Sequence, residues 1–308
     1  MTRGVVLINK EQGFTSFDVV AVCRKIFGQK AVGHTGTLDP MATGVLPVLL
    51  GRATKLSDYL TSKEKSYEVE MELGFTTDSD DITGKETFRC EEGLSLLTEE
   101  MVKEALMKYQ GEFLQVPPSY AAIKKDGRKL YEYARAGVEV SVPPRPVTVY
   151  SLEIREISLP KVRFFVHCSK GTYIRSICRD VGKDLGCGGV MTALTRASTS
   201  GFTLSDCYTL QQLKDLKEEG RLEEAVLSMD VLLREYPMLS VLPEKESLLL
   251  NGNPLRVDEV TGESPAESLI NGAIYRIYRN GEIAALYRYE AKRRLLMNEK
   301  MLMELVLS

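Results

Sequence analysis

The sequence predicts an α+β fold that carries a small all-β module at its C-terminal end. Residues 67–73 alternate apolar and acidic side chains, which is the period-two pattern of a half-buried strand. Apolar residues recur at helical spacing in 15–28 and again in 172–186. After Pro237, closely spaced Asn-Gly turns separate short apolar runs, as in small all-β domains.

The first two elements are a short buried strand and an amphipathic helix. The apolar residues of 4–9 form the predicted strand. Thr15, followed by Asp18 three residues later, matches the capping box that starts a helix, and the helical pattern continues to Gly28. This helix leads the chain into a segment that contains several glycines.

Residues 33–44 form that segment, a predicted loop before the apolar strand at 45–50. Its three glycines allow backbone conformations, or close approaches to a ligand, that other residues exclude. Pro40 disfavours helical geometry at Asp39, so we expect this carboxylate to project from extended chain. An Asp-Pro pair is also common turn material, so these residues alone leave a structural role open.

The middle of the chain continues with a short helix at 53–60, the alternating strand at 67–73 and a helix at 98–109. Tyr67 heads the apolar face of the strand. An aromatic side chain at the edge of the core would explain this position equally simply.

Residues 118–146 are predicted to form a projecting arm. Prolines flank both ends, and between them lie a turn at 125–128 and a short helix at 129–136. The arm holds six basic and three acidic side chains. A plain surface hairpin is the alternative interpretation.

Two strands, at 147–157 and 162–168, precede the helix at 172–186, for which Thr172 is the predicted N-cap. Arg175 then lies in the first turn of the helix. A cation at that end opposes the helix dipole, which costs about 0.3–1 kcal/mol. Arg175 is therefore expected to have a carboxylate or phosphate partner.

A charged, leucine-containing stretch at 210–233 is predicted to be helical, and a domain boundary follows at Arg234-Glu235-Tyr236-Pro237. The prediction is therefore one domain at 1–234 and a second at 235–308.

The composition is that of a globular protein, with 44% hydrophobic and 27% charged residues. No apolar run is long enough to cross a bilayer, and the first residues lack the apolar core of a signal peptide, so we expect a cytoplasmic protein.

The six cysteines include no Cys-x-x-Cys pair. His167 and Cys168 alternate onto opposite faces of a strand, so no metal site is predicted.

The formal net charge of −3 is unevenly distributed. Residues 64–104 carry a local charge of −9, which leaves +6 for the rest of the chain. Residues 118–146 carry +3 and residues 271–294 carry +4. These basic segments are either solvated faces or contacts for RNA phosphates.

The string Gly-His-Thr-Gly-Thr-Leu-Asp-Pro-Met-Ala-Thr-Gly-Val-Leu-Pro-Val, which begins at Gly33, closely resembles the catalytic motif of the TruB family, the tRNA pseudouridine-55 synthases. In that family the Asp is the essential catalytic residue, and the resemblance assigns this role to Asp39. Ser66-Tyr67 with the following 73–78 is similar to a second motif, whose Tyr lies against the target base. The resemblance therefore makes Tyr67 a catalytic and substrate-binding candidate.

Gly171-Thr172-Tyr173-Ile174-Arg175 resembles a third family motif, in which the Arg pairs with the catalytic Asp and the Tyr lines the uridine site. This implies a catalytic role for Arg175 and a substrate contact for Tyr173. The arginine would keep the pKa of Asp39 low where burial would raise it. Leu194 matches a substrate-lining position, although core packing would also explain it.

The resemblance implies two further substrate contacts. His34 is the candidate wedge that helps the uridine leave its stack, and a loop histidine bonded to the backbone is the alternative. Lys10 matches the lysine of a Lys-Pro pair in the family, and in this sequence Glu11 stands in the place of the proline. An exposed lysine in a turn is the alternative.

The implied fold is a pseudouridine synthase catalytic domain, with a central mixed, largely antiparallel sheet flanked by helices and loops. A thumb at about 118–146 would close over RNA, and 235–308 would form a PUA-like RNA-binding domain. The implied reaction isomerises uridine 55 in the T loop of tRNA, without a cofactor or metal. The expected partner is tRNA, at its T-loop stem and acceptor stem, with no membrane, no obligatory protein partner and a monomeric enzyme.

Two other functions stay open at this point. A non-catalytic tRNA-binding folding chaperone would make the acid incidental. The catalytic subunit of a guide-RNA pseudouridylation complex resembles the same family. Such a subunit would be expected to carry basic tails and partner-binding extensions, which this sequence lacks.

Overall fold

The structure, a computed structural model, describes residues 2–61, 64–90, 92–262 and 268–303. Parts of two predicted segments lie outside the described residues, namely Glu91 of the acidic stretch and 263–267 and 304–308 of the C-terminal module.

Strands and α-helices are numbered here in chain order. The strands are β1 (Gly4–Lys10), β2 (Val32–His34), β3 (Thr43–Leu50), β4 (Lys65–Leu73), β5 (Phe75–Thr77), β6 (Glu86–Arg89), β7 (Gly111–Gln115), β8 (Lys124–Lys125), β9 (Arg128–Lys129), β10 (Arg145–Ser158), β11 (Lys161–Cys168), β12 (Gly189–Thr199), β13 (Phe202–Thr203), β14 (Met238–Val241), β15 (Leu255–Arg256), β16 (Val260–Gly262), β17 (Ile274–Arg279), β18 (Glu282–Glu290) and β19 (Leu295–Met301). The helices are α1 (Ser16–Phe27), α2 (Ser57–Thr61), α3 (Glu99–Met107), α4 (Leu130–Arg135), α5 (Ile174–Asp184), α6 (Leu210–Glu218), α7 (Met229–Leu232) and α8 (Glu246–Leu250).

A large sheet forms the centre of the chain, with the strand order β1-β3-β12-β4-β11-β10-β7. Neighbouring strands in this order are antiparallel except β3 and β12, which run parallel. The predicted mixed, largely antiparallel sheet is therefore confirmed.

Strand β12 lies in the middle of this sheet and was not predicted. Its sequence includes Thr192 and Arg196 among apolar residues, so it lacks the continuous apolar run of an ordinary buried strand. The polar side chains find partners inside the protein: Thr195 shares a hydrogen bond with Thr43 across the parallel pair, at 2.8 Å between the two hydroxyl oxygens.

One face of the sheet packs against helices. Apolar residues of β4 and β11 join buried residues of α1, α3 and α5 in the main core, as Val69, Val20, Val102 and Ile177 illustrate. The capping box predicted at the start of α1 is confirmed, because the Asp18 N–H donates to the Thr15 hydroxyl at 3.0 Å.

A long insertion connects β7 to β10, which pair with each other in the sheet. It contains the hairpin β8–β9 and the helix α4, at the places where the turn and the short helix were predicted. Asp126 and Gly127 both have positive φ, at 50° and 80°, as a tight two-residue hairpin turn requires.

Two helix predictions were wrong in detail. The stretch at 210–233 is not one helix, because α6 ends before Gly220, whose φ is +71°, and only the short α7 follows after a 3₁₀ turn. The N-cap of helix α5 is Tyr173, without a capping bond from its side chain, whereas the Thr172 hydroxyl donates to the Ser169 carbonyl at 3.0 Å.

The C-terminal strands form a second sheet with the order β15-β19-β18-β17-β14-β16, which confirms the small β-barrel-like module. The turn between β17 and β18 is Asn280-Gly281, again with positive φ at both residues. Among the described residues, no helix is long and apolar enough to cross a bilayer.

Candidate active site

The loop that carries Asp39 is fastened to the start of α1. Ser16 is buried, and its hydroxyl accepts from the Leu38 N–H at 2.9 Å and donates to the Leu38 carbonyl at 3.3 Å. On the other side of the acid, the Ala42 N–H donates to the Asp39 carbonyl at 3.0 Å. Both flanks of Asp39 are therefore held by short hydrogen bonds, so its side chain projects from a fixed backbone.

Asp39 and Arg175 form a two-contact ion pair, although 136 residues separate them in the chain. The Arg175 Nε lies 3.0 Å from Asp39 Oδ2, and its Nη2 donates to Asp39 Oδ1 at 3.2 Å. The Arg175 side chain is 5% exposed, whereas that of Asp39 is 32% exposed. The carboxylate thus faces an open cleft while its partner is held in the protein behind it.

The remaining donors of Arg175 are also engaged. Its Nη1 donates to the Ser79 carbonyl at 3.0 Å, and its Nη2 donates to the Tyr120 carbonyl at 2.9 Å. Asp81 Oδ2 lies 3.6 Å from Nη1. A guanidinium with this many contacts has one orientation, which in turn fixes the direction of the Asp39 carboxylate.

Asp81 was missed by the sequence interpretation. It is buried, and Thr83 holds its Oδ1 with both its N–H, at 2.9 Å, and its hydroxyl, at 2.6 Å. The available signal was the acidic run Asp78-Ser79-Asp80-Asp81, which begins at the last residue of the second family motif. That run was counted only in the local charge of residues 64–104, although one of its carboxylates lies beside Arg175.

Burial raises the pKa of Asp39 above its ordinary value, and the negative charge of Asp81 adds to this rise. Arg175 and Lys10 act in the opposite direction. The expectation that Arg175 keeps this pKa low was therefore wrong in its net sign. The arginine reduces the rise without cancelling it, because the loss of water around the carboxylate outweighs one neighbouring cation.

A cavity of about 110 Å³ opens over this pair. Tyr67, Tyr173 and Leu194 line it together with Asp39 and Arg175, so the structure brings these five predicted residues to one place. The cavity is small beside the ~300–1,000 Å³ of ordinary small-molecule sites, as suits a single inserted ring. A larger cavity of about 560 Å³, which His167 and Ser200 help to line, contains none of these five residues.

Two side chains that the sequence interpretation missed hold the tyrosines of the cavity. Gln115 is buried and clamps the Tyr173 backbone, accepting from its N–H at 2.8 Å and donating to its carbonyl at 3.0 Å. Arg196 is 1% exposed and interacts with the hydroxyl of Tyr67. Burial raises the pKa of Tyr67 to about 12, so this phenol is protonated at neutral pH.

Arg196 also ties the Asp39 loop to the sheet. Its Nε donates to the Val45 carbonyl at 2.7 Å, and its Nη2 donates to the Gly36 carbonyl at 3.3 Å. Burial lowers the pKa of this arginine. A buried cation in a strand gives little signal in a sequence, because an arginine there looks like any solvated one.

The structure contradicts one of the two interpretations of Lys10, and its contact with substrate stays a prediction. It is fully buried, which excludes the exposed turn lysine, and it is not among the residues that line the cavity. Its ammonium donates to the carbonyls of Phe14 at 2.6 Å, Glu11 at 2.9 Å and Pro40 at 3.3 Å. Burial lowers its pKa to about 8. In this structure Lys10 supports the loop beside Asp39.

His34 ends β2 and lies at the side of the loop, outside the cavity lining. Its Nδ1 accepts from the Gly36 N–H at 3.2 Å, which is the backbone bond of the alternative interpretation. Burial and Arg196 lower its pKa, so the ring is neutral at physiological pH. Over the described ranges of the chain, no His, Cys, Asp and Glu side chains are grouped as a metal site needs.

Comparison with known proteins gives a consistent result. The family model for the N-terminal domain of TruB family pseudouridylate synthases matches residues 24–174, and the model for the tRNA pseudouridylate synthase B C-terminal domain matches residues 175–234. A Clostridium kluyveri protein named tRNA pseudouridine synthase B is 42% identical over 278 residues, covering 90% of this chain and 92% of that protein. A protein of the same name from Alkaliphilus oremlandii is 46% identical over 251 residues, covering 82% of each.

A solved structure gives the same fold. The structure described as the crystal structure of a Cbf5-Nop10-Gar1 complex matches with a TM-score of 0.72 and 26% identity, covering 98% of this chain and 85% of that one. The sequence matches extend over most of the chain and include the segments that carry Asp39, Tyr67 and Arg175. The chain therefore belongs to the TruB family of pseudouridylate synthases.

Proposed function

We propose that this chain isomerises uridine 55 in the T loop of tRNA to pseudouridine, with Asp39 as the catalytic carboxylate. The proposal rests on one observation above all: a partly exposed carboxylate, fixed by Arg175, lies in a ring-sized cavity that Tyr67, Tyr173 and Leu194 line. The names of the relatives add tRNA as the substrate class.

The reaction breaks the bond between C1′ and N1 of the uridine, turns the base and joins C1′ to C5, from which a proton leaves. A carboxylate serves this sequence either as a nucleophile at C1′ or as a base at C2′. Both routes need the ionised form of Asp39. Arg175 favours that form, because it lowers the pKa that burial raises.

The neighbouring side chains have complementary roles in this proposal. Tyr67 offers a ring face to the uracil, and Tyr173 and Leu194 complete the walls of the cavity. A uridine inside a folded tRNA reaches such a cavity only after leaving its stack. His34 stands beside the loop as the wedge, while the basic insertion and the C-terminal module contact the T-loop stem and the acceptor stem.

Mapping the modified nucleotide tests the proposal. Purified protein is incubated with unmodified tRNA and, separately, with a T-arm stem-loop, and pseudouridine is located by chemical mapping. We expect one isomerised uridine, at position 55, in both RNAs. Asp39→Asn should abolish conversion and keep RNA binding, whereas Arg179→Lys, one turn further along α5, should retain most activity because Arg179 does not contact Asp39.

The same experiment separates the alternatives. Binding of tRNA without any conversion by the wild-type protein would favour a folding chaperone with an incidental acid. Full conversion by the Asp39→Asn protein would show that Asp39 is not the catalytic carboxylate. Conversion that requires an added guide RNA would favour a guide-dependent subunit. Conversion at another uridine would show that the proposed target is wrong.

A further inference from the structure

Phe17 is an exposed aromatic side chain beside the proposed active site. It lies in the first turn of α1 and is 66% exposed, more than Phe88 at 48% or Tyr150 at 46%. The residue before it, Ser16, is the one whose hydroxyl holds Leu38 next to the catalytic acid. The ring of Phe17 is therefore fixed to the Asp39 loop through its own helix turn.

The ring also contacts His34. The two ring centroids are 5.3 Å apart, and the ring planes meet at 83°. His34 is held in turn by the Gly36 N–H on its Nδ1, so it presents a neutral ring in one orientation. Phe17 thus has one side supported by a fixed partner and a free face toward solvent.

We infer that Phe17 is an RNA-stacking residue that receives a nucleobase adjacent to the target uridine. This inference rests on the proposed function. When a base leaves its stack, its neighbours lose a stacking partner, and an aromatic side chain replaces the lost contact. Phe17 is placed for this role, because it lies next to the candidate wedge His34 at the side of the Asp39 loop.

The surroundings favour a base over other partners. Thr15 and Asp18, which flank Phe17 on the surface, are polar and exposed, so the ring is not part of a wide apolar patch that would fit a protein or a membrane. The Asp18 carboxylate accepts from Thr15 and is negative, so it disfavours a phosphate at this point. A single aromatic face between polar neighbours suits an uncharged base.

The fold gains little from Phe17. A phenylalanine with most of its surface in water contributes little burial, and alanine is the better helix former. The Phe17→Ala protein should therefore fold and melt like the wild type, which makes kinetic effects interpretable. Phe17→Tyr keeps an aromatic face, and Phe17→Leu keeps apolar volume without one.

The test measures kcat and KM for pseudouridine formation on a T-arm stem-loop. We expect Phe17→Ala and Phe17→Leu to raise KM about tenfold, as a lost base–aromatic stack would, with kcat close to the wild-type value. Phe17→Tyr should stay close to the wild type. The matched control is Tyr150→Ala. Tyr150 is another exposed aromatic residue in contact with a histidine, His167, whose side chain lies on the opposite face of the sheet from Tyr67. This variant should leave KM unchanged.

A second set of substrates identifies the base. Stem-loops that carry an abasic nucleotide on the 5′ or the 3′ side of the target uridine are compared for the wild type and Phe17→Ala. The KM penalty of Phe17→Ala should disappear on one of these RNAs, because the contact is then already absent. Three results would overturn the inference. These are an equal increase in KM for Phe17→Ala on both abasic RNAs, an unchanged KM for Phe17→Ala on the intact RNA, and equal KM values for Phe17→Leu and Phe17→Tyr. Absence of pseudouridine with the wild-type protein would instead refute the proposed function.

Discussion

At the scale of single residues, the charge of Asp39 is set by opposing neighbours. Burial and Asp81 raise its pKa, whereas Arg175 and Lys10 lower it. If the ionised acid is the active form, kcat/KM rises with pH as Asp39 loses its proton. The midpoint of this rise, the acid limb of the pH profile, then lies above the ordinary pKa of an aspartate.

Arg175→Lys should move the acid limb to higher pH. Lysine keeps a positive charge but not the two-contact geometry, so it lowers the pKa of Asp39 less than arginine does. The measurement is kcat/KM across the acid and neutral range. Arg179→Lys is the control, because Arg179 pairs with Asp80 and Asp180 and should leave the limb in place. A limb that stays in place in the Arg175→Lys protein would mean that Asp39 does not govern it.

The raised pKa of Asp39 also makes a prediction about stability. The pKa of the Asp39 carboxyl is higher in the folded protein than its ordinary value of 3.8. Such a group stabilises the fold fully at pH values below 3.8, and this stabilisation is lost as the pH rises through the pKa of the folded protein. Ionised Asp39 therefore destabilises the fold at neutral pH. We expect Asp39→Asn to melt at or above the wild-type temperature at neutral pH, with the difference shrinking toward about pH 4.

Asp18→Asn is the control with the opposite sign. Hydrogen bonds from Thr15 lower the pKa of Asp18, so its contribution to stability is present at neutral pH and is lost as the pH falls. Asp18→Asn should therefore melt below the wild type at neutral pH. If Asp39→Asn also melted lower there, the net effect of the charge on Asp39 would be stabilising, contrary to this argument.

At the scale of elements, the parallel contact of β3 and β12 depends on Gly44. Its φ is +107°, and a Cβ there would lie 2.3 Å from the Arg196 carbonyl oxygen. We expect Gly44→Ala to cost about 3 kcal/mol or more of unfolding free energy, because backbone strain and overlap add. Gly13→Ala is the matched control: its φ is +89°, but no atom lies within 4 Å, so it should cost about 1–2 kcal/mol. Denaturant unfolding measures both, and equal losses would rule out the overlap.

The sequence predicted elements where local chemistry decides them. The capping box of α1, the alternation in β4 and the Asn280-Gly281 turn are patterns of neighbouring residues, and the structure has all three. It did not predict β12, because the polar residues of that strand are satisfied by partners distant in the chain, such as Thr43 for Thr195. It overextended the helix at 210–233, where Gly220 and leucine-rich pieces were read as one element.

The candidate site shows the same limit. The roles of Asp39, Tyr67 and Arg175 were predicted from the family resemblance. No local sequence pattern could show that Asp39 pairs with an arginine 136 residues away. Asp81, Gln115 and Arg196 escaped notice because their roles come from burial and from contacts across the sheet. Neither property can be read from short segments, and the net sign of the pKa shift of Asp39 depends on both.

At the scale of the whole molecule, we propose that the domain boundary falls between 234 and 235, as the sequence predicts, but that the two parts share a core. Leu7 and Leu49 of the large sheet belong to the same buried apolar cluster as Tyr278, Ile283 and Leu286 of the C-terminal sheet. A shared cluster means that the C-terminal sheet stabilises the face of the large sheet opposite the helices. The C-terminal module and the sheet that carries the candidate site would then keep a fixed relation.

Leu286→Ala tests this coupling. Leu286 is fully buried in β18, so its truncation should lower the free energy of unfolding by about 2–5 kcal/mol. Because its cluster includes residues of β1 and β3, the destabilisation should extend into the large sheet. Hydrogen exchange of the β1 and β3 amides should accelerate along with that of β18. Leu296→Ala is the control, since Leu296 is equally buried but belongs to the separate cluster within the C-terminal sheet, so its effect on β1 and β3 should be smaller. Faster exchange confined to the C-terminal strands in the Leu286→Ala protein would show that the two sheets unfold independently.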